Sequence, residues 1–185
     1  MAKIALIVGH EKKAQGGSNR NGVTEYDYNN RLAELVAALL VTEEHEPFIV
    51  YRDGTTYTEL PQRVNKTGAE VAISLHCNAF NGQASGSETL HYANSKNGAR
   101  LAEHIQKKVV GVMELPDRGL RPVNVKHKGR KGDRGGHLCK HTSMPTVIVE
   151  AFFIDNDSDL KRGEERIIIL AAAIAQGAID YVEAI

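Results

Sequence analysis

The sequence is poor in cysteine and has no long apolar run. Its 185 residues include two cysteines, Cys77 and Cys139, so no disulfide framework can replace a hydrophobic core, and we expect two free, buried thiols. No apolar stretch approaches the roughly 20 residues that a membrane-spanning helix needs. The apolar start of the chain ends at Gly9 and His10, which is too short for the core of a signal peptide. These absences predict synthesis in the cytoplasm without a signal peptide.

Net charge is also absent, because 23 basic residues balance 23 acidic ones. This balance excludes a uniformly basic nucleic-acid-binding surface. The charges are unevenly distributed, since residues 96–141 carry 12 basic and 4 acidic side chains. The most basic part, residues 124–134, is either an attractor of an anionic polymer or a solvated loop without a ligand. Its cations are Lys126, Lys128, Arg130, Lys131 and Arg134.

Strand-like and helix-like segments alternate along the chain. Apolar or alternating runs predict strands at Ile4–Val8, Pro47–Arg52, Val71–His76, Ser87–Tyr92 and Thr146–Phe153. Helical spacing of apolar residues predicts a helix over about 25–42 capped by Thr24, a short one near Leu60, one around Leu101–Val112, and a last one capped by Ser158. This order predicts an α/β three-layer sandwich, with a mostly parallel central sheet covered by helices on both faces. No repeat or long linker divides it, so we expect a single domain spanning residues 1–185.

Polar residues stand where predicted strands end. His10, His76 and Glu150 terminate or follow apolar runs, and Glu25 lies at the start of the first helix. Ligand crevices of open α/β sheets lie at the carboxyl ends of strands. Two histidines and a carboxylate are a ligand set of hydrolytic zinc sites, which leave a fourth position for water. Glu150 interrupts an apolar strand, where an unpaired charge is costly.

Structural roles are the alternatives for these residues taken singly. His10 alone could be a hydrogen-bonded core histidine, and Glu25 alone could be a carboxylate that favours the helix dipole. His137, Cys139 and His141 alternate as if on one strand, which would spread them over about 13 Å. We therefore expect structural or substrate-lining roles for those three and no shared metal ion.

Six segments, in order, resemble the zinc-dependent N-acetylmuramoyl-L-alanine amidases, the catalytic domain of bacterial autolysins and phage endolysins. They are IALIVGH, NGVTEYDYN, EVAISLHCNA, GSETLHY, DRGLRPVN and MPTVIVEAFFIDNDSD. The resemblance implies that His10, Glu25 and His76 hold Zn²⁺ and that Glu150 is the catalytic carboxylate. Two departures are Glu11-Lys12 after His10, where many members have two glycines, and a closing Glu-Ala-Phe-Phe that is more similar to stand-alone phage lysins.

The resemblance implies hydrolysis of the amide between N-acetylmuramic acid and the L-alanine of the peptidoglycan stem peptide. We expect a monomeric catalytic domain with no separate cell-wall-binding domain, no nucleic-acid partner and no activator. The enzyme would reach the wall after release from the cytoplasm, by a holin or by lysis. Alternatives are a zinc peptidase or deacylase acting on a soluble amide, and a non-catalytic module that binds glycan or nucleic acid.

Overall fold

The computed structural model describes residues 1–126 and 132–185. The strands are β1 (Lys3–Val8), β2 (Glu46–Val50), β3 (Val71–Asn78), β4 (Ser87–Tyr92), β5 (Asp117–Val123) and β6 (Thr146–Phe153). The helices are α1 (Glu25–Thr42), α2 (Leu60–Asn65), α3 (Lys96–Met113), α4 (Gly136–His141), α5 (Asp157–Glu165) and α6 (Ile167–Glu183). The strands form one sheet in the order β2-β1-β3-β6-β4-β5, parallel except where β4 pairs with β6. The predicted α/β sandwich is confirmed.

The central strands are apolar throughout because both of their faces are covered. In β1, Ile4, Leu6 and Val8 point into the larger core, which α1, α3 and α6 close. Ala5 and Ile7 point into a smaller core that receives residues of α2 and α4. Successive side chains of a strand point to opposite faces, so a strand between two helix layers needs apolar residues at every position.

The first helix begins where its capping residue predicts. The Thr24 side chain accepts a hydrogen bond from the Asp27 amide, and α1 starts at Glu25. Both cysteines are free and buried, as expected. In the described part of the chain, no helix combines the length and apolar character needed to cross a membrane.

The predicted strand through His137 and His141 is wrong, because residues 136–141 form helix α4. Gly135, with a φ of +89°, turns the chain into this helix. His137 and His141 are therefore neighbours on one helix face, with ring centroids 4.5 Å apart. Cys139 packs in a small apolar cluster with other buried residues of the sheet. The 13 Å separation expected from a strand does not apply.

Two further elements differ from prediction. Strand β5 carries Gly119 and Pro122, which disfavour strands, but it lies at the sheet edge, where a proline costs no ladder bond on the open side.

The C-terminal segment is two helices, and the predicted cap Ser158 is wrong. Asn156 caps the first of these helices, accepting hydrogen bonds from the amides of Ser158 and Asp159. The break falls at Arg166, whose guanidinium binds the Val112 carbonyl and the Glu114 carboxylate at the end of α3.

Candidate functional site

His10, Glu25 and His76 lie together although they come from three elements. His10 follows β1, Glu25 begins α1, and His76 lies near the end of β3. Glu25 bridges the imidazoles, with Oε2 3.0 Å from Nε2 of His10 and Oε1 2.9 Å from Nδ1 of His76. One ligand atom from each residue lies within 4.8 Å of the other two.

The donor set and its spacing fit a zinc ion. Zinc bonds of about 2.0–2.2 Å in a tetrahedral arrangement place ligand atoms about 3.3 Å apart, close to the two separations across Glu25. Three protein ligands are typical of catalytic zinc sites, whereas structural sites usually have four. Among residues 1–126 and 132–185, these three are the group of His, Cys, Asp and Glu side chains close enough to share a metal.

Glu25 is held as a carboxylate inside the protein. Burial raises its pKa, but hydrogen bonds and charge attraction from His10 and His76 outweigh burial and hold the pKa well below its usual value. The amides of Gly17 and Cys77 also donate to its two oxygens, over 2.8 and 3.1 Å. A metal ligand must be deprotonated, so this environment favours the form of Glu25 that binds a cation.

The backbone near the cluster approaches the side chains of His10 and Glu25 unusually closely. His10 adopts a left-handed φ of +67°, which a non-glycine residue adopts at an energetic cost and which often marks a functional site. Gly16, at φ +79°, passes so near that a Cβ there would lie 2.5 Å from Oε2 of Glu25 and from Cδ2 of His10. The polar loop of residues 11–23 therefore folds back to enclose the cluster.

Glu150 lies beside the cluster without a hydrogen-bonding partner for one of its oxygens. It is the register neighbour of His76 across the parallel pair β3–β6. Its Oε2 is buried, and none of the described residues bonds to it. Burial raises the pKa of Glu150 well above its usual value, and the negative charges of Glu25 and Glu88 add to the increase. A carboxyl in this setting is a candidate for proton transfer.

His10, His76 and Glu150 line a cleft of about 280 Å³ at the carboxyl ends of the parallel strands. Sequence reasoning placed His10, His76 and Glu150 there and named Arg134 in the basic loop, but it missed other lining residues, among them Arg52, Tyr57, Asn78 and Leu138. The strand-end argument could have found Arg52 and Asn78, because both lie at or just beyond a strand end. Nothing in the sequence pattern points to Tyr57 or Leu138, which reach the cleft from a loop and from α4.

Of the predicted basic loop, Lys126 and Arg134 are described and line a neighbouring cleft. Lys128, Arg130 and Lys131 lie outside the described residues. The connection from β3 to β4 consists of residues 79–86, and it contains no helix. This connection is too short for a helix that would fill the cleft.

The comparisons identify the family. A family described as N-acetylmuramoyl-L-alanine amidase matches residues 4–180. The chain is 30% identical to the N-acetylmuramoyl-L-alanine amidase LytC of Bacillus subtilis, over 96% of this chain and 35% of that protein. It is 30% identical to the endolysin of Bacillus phage SPP1, over 86% of this chain and 58% of that protein.

A solved structure agrees with the sequence relatives. The catalytic domain of the CD27L endolysin, which targets Clostridia difficile, superposes with a TM-score of 0.81 at 27% identity. The match covers 97% of this chain and 98% of that one. The curated relatives just described are longer, so this chain spans about a third of LytC and just over half of the phage endolysin. By the family match and these likenesses, the chain belongs to the N-acetylmuramoyl-L-alanine amidase family.

Proposed function

We propose that this chain hydrolyses the amide between N-acetylmuramic acid and the L-alanine of the peptidoglycan stem peptide. The observation that carries this proposal is Glu150, a buried carboxyl with an unbonded oxygen, beside the His10–Glu25–His76 group in an open cleft. Membership of the amidase family supports the choice of bond. The names of its relatives, a bacterial amidase and two endolysins, support the cell wall as the substrate.

His10, Glu25 and His76 are the proposed holders of one Zn²⁺. When bound, the ion polarises a carbonyl and lowers the pKa of water. Glu25 contributes the negative charge of the site, and the amides of Gly17 and Cys77 orient its oxygens. The two imidazoles must be neutral to act as ligands, so we expect acid to release the metal.

Glu150 is the proposed general base and acid. An amide is a poor electrophile and its amine a poor leaving group, so the reaction needs a proton removed from water and one delivered to nitrogen. Oε2 of Glu150 has no competing hydrogen bond within the described residues, and it can receive the first proton and return the second. Burial and the negative charges of Glu25 and Glu88 raise the pKa of Glu150, which favours the protonated form that an acid catalyst requires.

The wider biology stays a prediction. We propose that the protein acts on the wall as a monomer, after synthesis in the cytoplasm and release, and without a nucleic-acid partner. Residues 79–86 contain no helix that could cover the cleft and inhibit the enzyme. We therefore expect activity on permeabilised cells without an added activator. Size-exclusion chromatography and a lysis assay with the purified chain check these points.

The decisive experiment is mass analysis of the fragments released from purified sacculi. Cleavage at the proposed bond yields stem peptides with a free L-alanine amino group and glycan strands with an unsubstituted lactyl carboxyl. Glycan fragments with new reducing ends, or new termini inside the stem peptide or the cross-bridge, would assign a different bond and contradict the proposal. A Glu150→Gln sample reports background hydrolysis, and Glu103→Gln, an exposed site on α3, is the matched control.

Elemental analysis tests the metal site independently of activity. We expect about one zinc per chain, and none after His76→Ala, while His104→Ala on the surface of α3 keeps its zinc. Full zinc content in the His76→Ala variant would contradict the ligand assignment.

A further inference from the structure

A buried carboxylate next to the active site has no part in the mechanism above. Glu88, on β4, is 2% exposed. It is the antiparallel register partner of Glu150, so the Cα atoms of the two residues lie about 4.5–5.5 Å apart. A second ionisable group this close to the proposed catalytic carboxyl needs an explanation.

Glu88 holds two arginines of β5. Its Oε2 accepts a hydrogen bond from Nε of Arg118 over 2.9 Å and from Nε of Arg121 over 3.1 Å. Its Oε1 accepts a hydrogen bond from the side-chain Nδ2 of Asn78, and a guanidinium nitrogen of Arg134 lies 3.8 Å away. Burial raises the pKa of Glu88, but the hydrogen bonds and charges of Arg118 and Arg121 outweigh it and lower the pKa, so the carboxylate is ionised.

Glu88 binds both arginines through their Nε atoms, which leaves the terminal Nη atoms available for a ligand. Within the described part of the chain, neither Arg118 nor Arg121 makes a hydrogen bond through its Nη atoms. Arg118 also stacks on the Phe153 ring, with its Cζ 4.9 Å from the ring centroid, which restricts its movement. A guanidinium presented this way has the planar pair of donors that binds a carboxylate through two bonds.

Positive charge exceeds negative charge around these arginines. They line a cleft of about 440 Å³ whose charged residues are Arg118, Arg121, Lys126 and Arg134 against Glu88 and Asp133. Leu90 and Arg134 are walls of both this cleft and the active-site cleft. One extended ligand can therefore occupy both clefts.

We infer that Arg118 and Arg121 form a subsite for the free α-carboxylate of the second residue of the stem peptide. The inference rests on the proposed function. The second stem residue is a glutamyl unit linked through its γ-carboxyl, and an extended chain advances at most about 3.3–3.6 Å per residue. Its α-carboxylate therefore lies about 7 Å from the cleaved amide. Strand β5 is two strands away from β6, about 9–10 Å, and a long arginine side chain can span the difference. Glu88 positions the two arginines and does not itself contact the ligand.

The test compares two N-acetylmuramoyl tripeptides that differ only at this group, one with the α-carboxylate and one with the neutral α-carboxamide. We expect the wild type to prefer the carboxylate by about 10- to 100-fold in kcat/KM, the range of a charge-assisted hydrogen bond. Arg121→Gln should raise KM for the carboxylate substrate and leave kcat and the carboxamide substrate nearly unchanged. Arg121→Lys, which keeps the charge, should retain part of the preference.

Two controls separate binding from folding. Arg121→Gln leaves Arg118 and Asn78 bonded to Glu88, so its melting temperature should stay near that of the wild type. The test therefore does not depend on whether Arg118→Gln folds. Arg100→Gln, which removes a charge beside Tyr181 on the helical layer, should not alter the preference.

Three outcomes would overturn the inference. Equal cleavage of both substrates by the wild type, or an equal loss on both in Arg121→Gln, removes the subsite while the proposed function stands. A loss on whole walls with none on the tripeptides assigns the arginines to another wall anion. Failure of the wild type to cut either substrate, or sacculi, overturns the proposed function and this inference together.

Discussion

At the scale of single residues, Glu150 is the proposed general base and acid. Burial and two neighbouring carboxylates raise the pKa of Glu150, so its ionised form is disfavoured in the folded protein and this carboxyl lowers stability above the ordinary pKa of 4.5. Gln keeps the volume and removes that cost. The same substitution removes the carboxylate that, among the described residues, lines the cleft beside the proposed zinc ligands.

We therefore predict that Glu150→Gln keeps its zinc, melts at or above the wild-type temperature, and hydrolyses wall at least about 100-fold more slowly. Turbidity, zinc content and calorimetry measured on one preparation check all three. Loss of zinc would make Glu150 a ligand and cast doubt on Glu25. Near-normal activity would place the base elsewhere.

Gly16 supplies a second test at this scale. It and Gly22 share a left-handed φ, +79° and +80°, but a Cβ on Gly16 would collide with Glu25 and His10, whereas one on Gly22 meets nothing within 4 Å. Both alanine variants carry the same backbone strain of about 1 kcal/mol. The difference between them isolates crowding at the metal group.

We predict that Gly16→Ala weakens zinc binding by more than about 10-fold, since displacing a ligand or its support typically costs 10- to 100-fold in affinity. Gly22→Ala should keep wild-type affinity. Competition titration with a chelating dye measures both. Equal affinities would show that the loop can move away from Glu25 without consequence.

At the scale of elements, the pairing of β4 with β5 depends on charge as well as on the ladder. β5 contains a glycine and a proline and has no fully buried residue, so its own sequence gives it little reason to be a strand. The bonds from Arg118 and Arg121 to Glu88 tie it to its neighbour. Because the pKa of Glu88 is lowered in the folded protein, this stabilisation is complete above the ordinary pKa of 4.5 and is lost as pH falls through the folded-state value.

We predict that Glu88→Gln lowers stability at pH 7 by about 1.5–3 kcal/mol, the worth of hydrogen bonds to a charged group. In a chain of this size that corresponds to a melting temperature lower by roughly 5 °C. The gap should close as pH falls below the ordinary pKa of 4.5 and through the lowered folded-state value, because the wild type then loses its own carboxylate. A gap independent of pH would mean that shape and not charge sustains the pairing, and Glu103→Gln should show no gap.

At the scale of the whole molecule, the proposed metal links segments that are distant in sequence. His10 follows β1, while Glu25 and His76 belong to α1 and β3, and all three must be in place before they can share an ion. A ligand that binds the folded state and not the unfolded one stabilises the fold by mass action.

We predict that zinc at 100 times its dissociation constant raises the free energy of unfolding by about 2.7 kcal/mol. Chelation should reverse the rise in melting temperature, and His76→Ala should abolish it. Calorimetry with and without zinc measures the effect, and His104→Ala serves as the control. A zinc-dependent rise that persists in His76→Ala would locate the metal elsewhere.

Local sequence determined the elements whose signals are local. The strands β1, β3 and β6 are apolar throughout because both faces are covered, and the start of α1 follows from the hydrogen bond that Thr24 accepts. The positions of His10, His76 and Glu150 followed from the same strands, since a polar residue at the end of a buried run stands out from its surroundings. Glu88 sits in a strand as Glu150 does, yet it drew no attention because SETLHY is not uniformly apolar.

Only the tertiary structure decided the features that depend on distant partners. β5 is a strand because it pairs with β4 and because Glu88 binds its arginines. α4 is a helix because the left-handed turn at Gly135 redirects the chain before it. The pKa of Glu25 falls and that of Glu150 rises although both are buried glutamates, because two imidazoles flank the first and two carboxylates oppose the second. The spacing of residues in the sequence does not predict which charges will be neighbours across a sheet, since that depends on strand order and register.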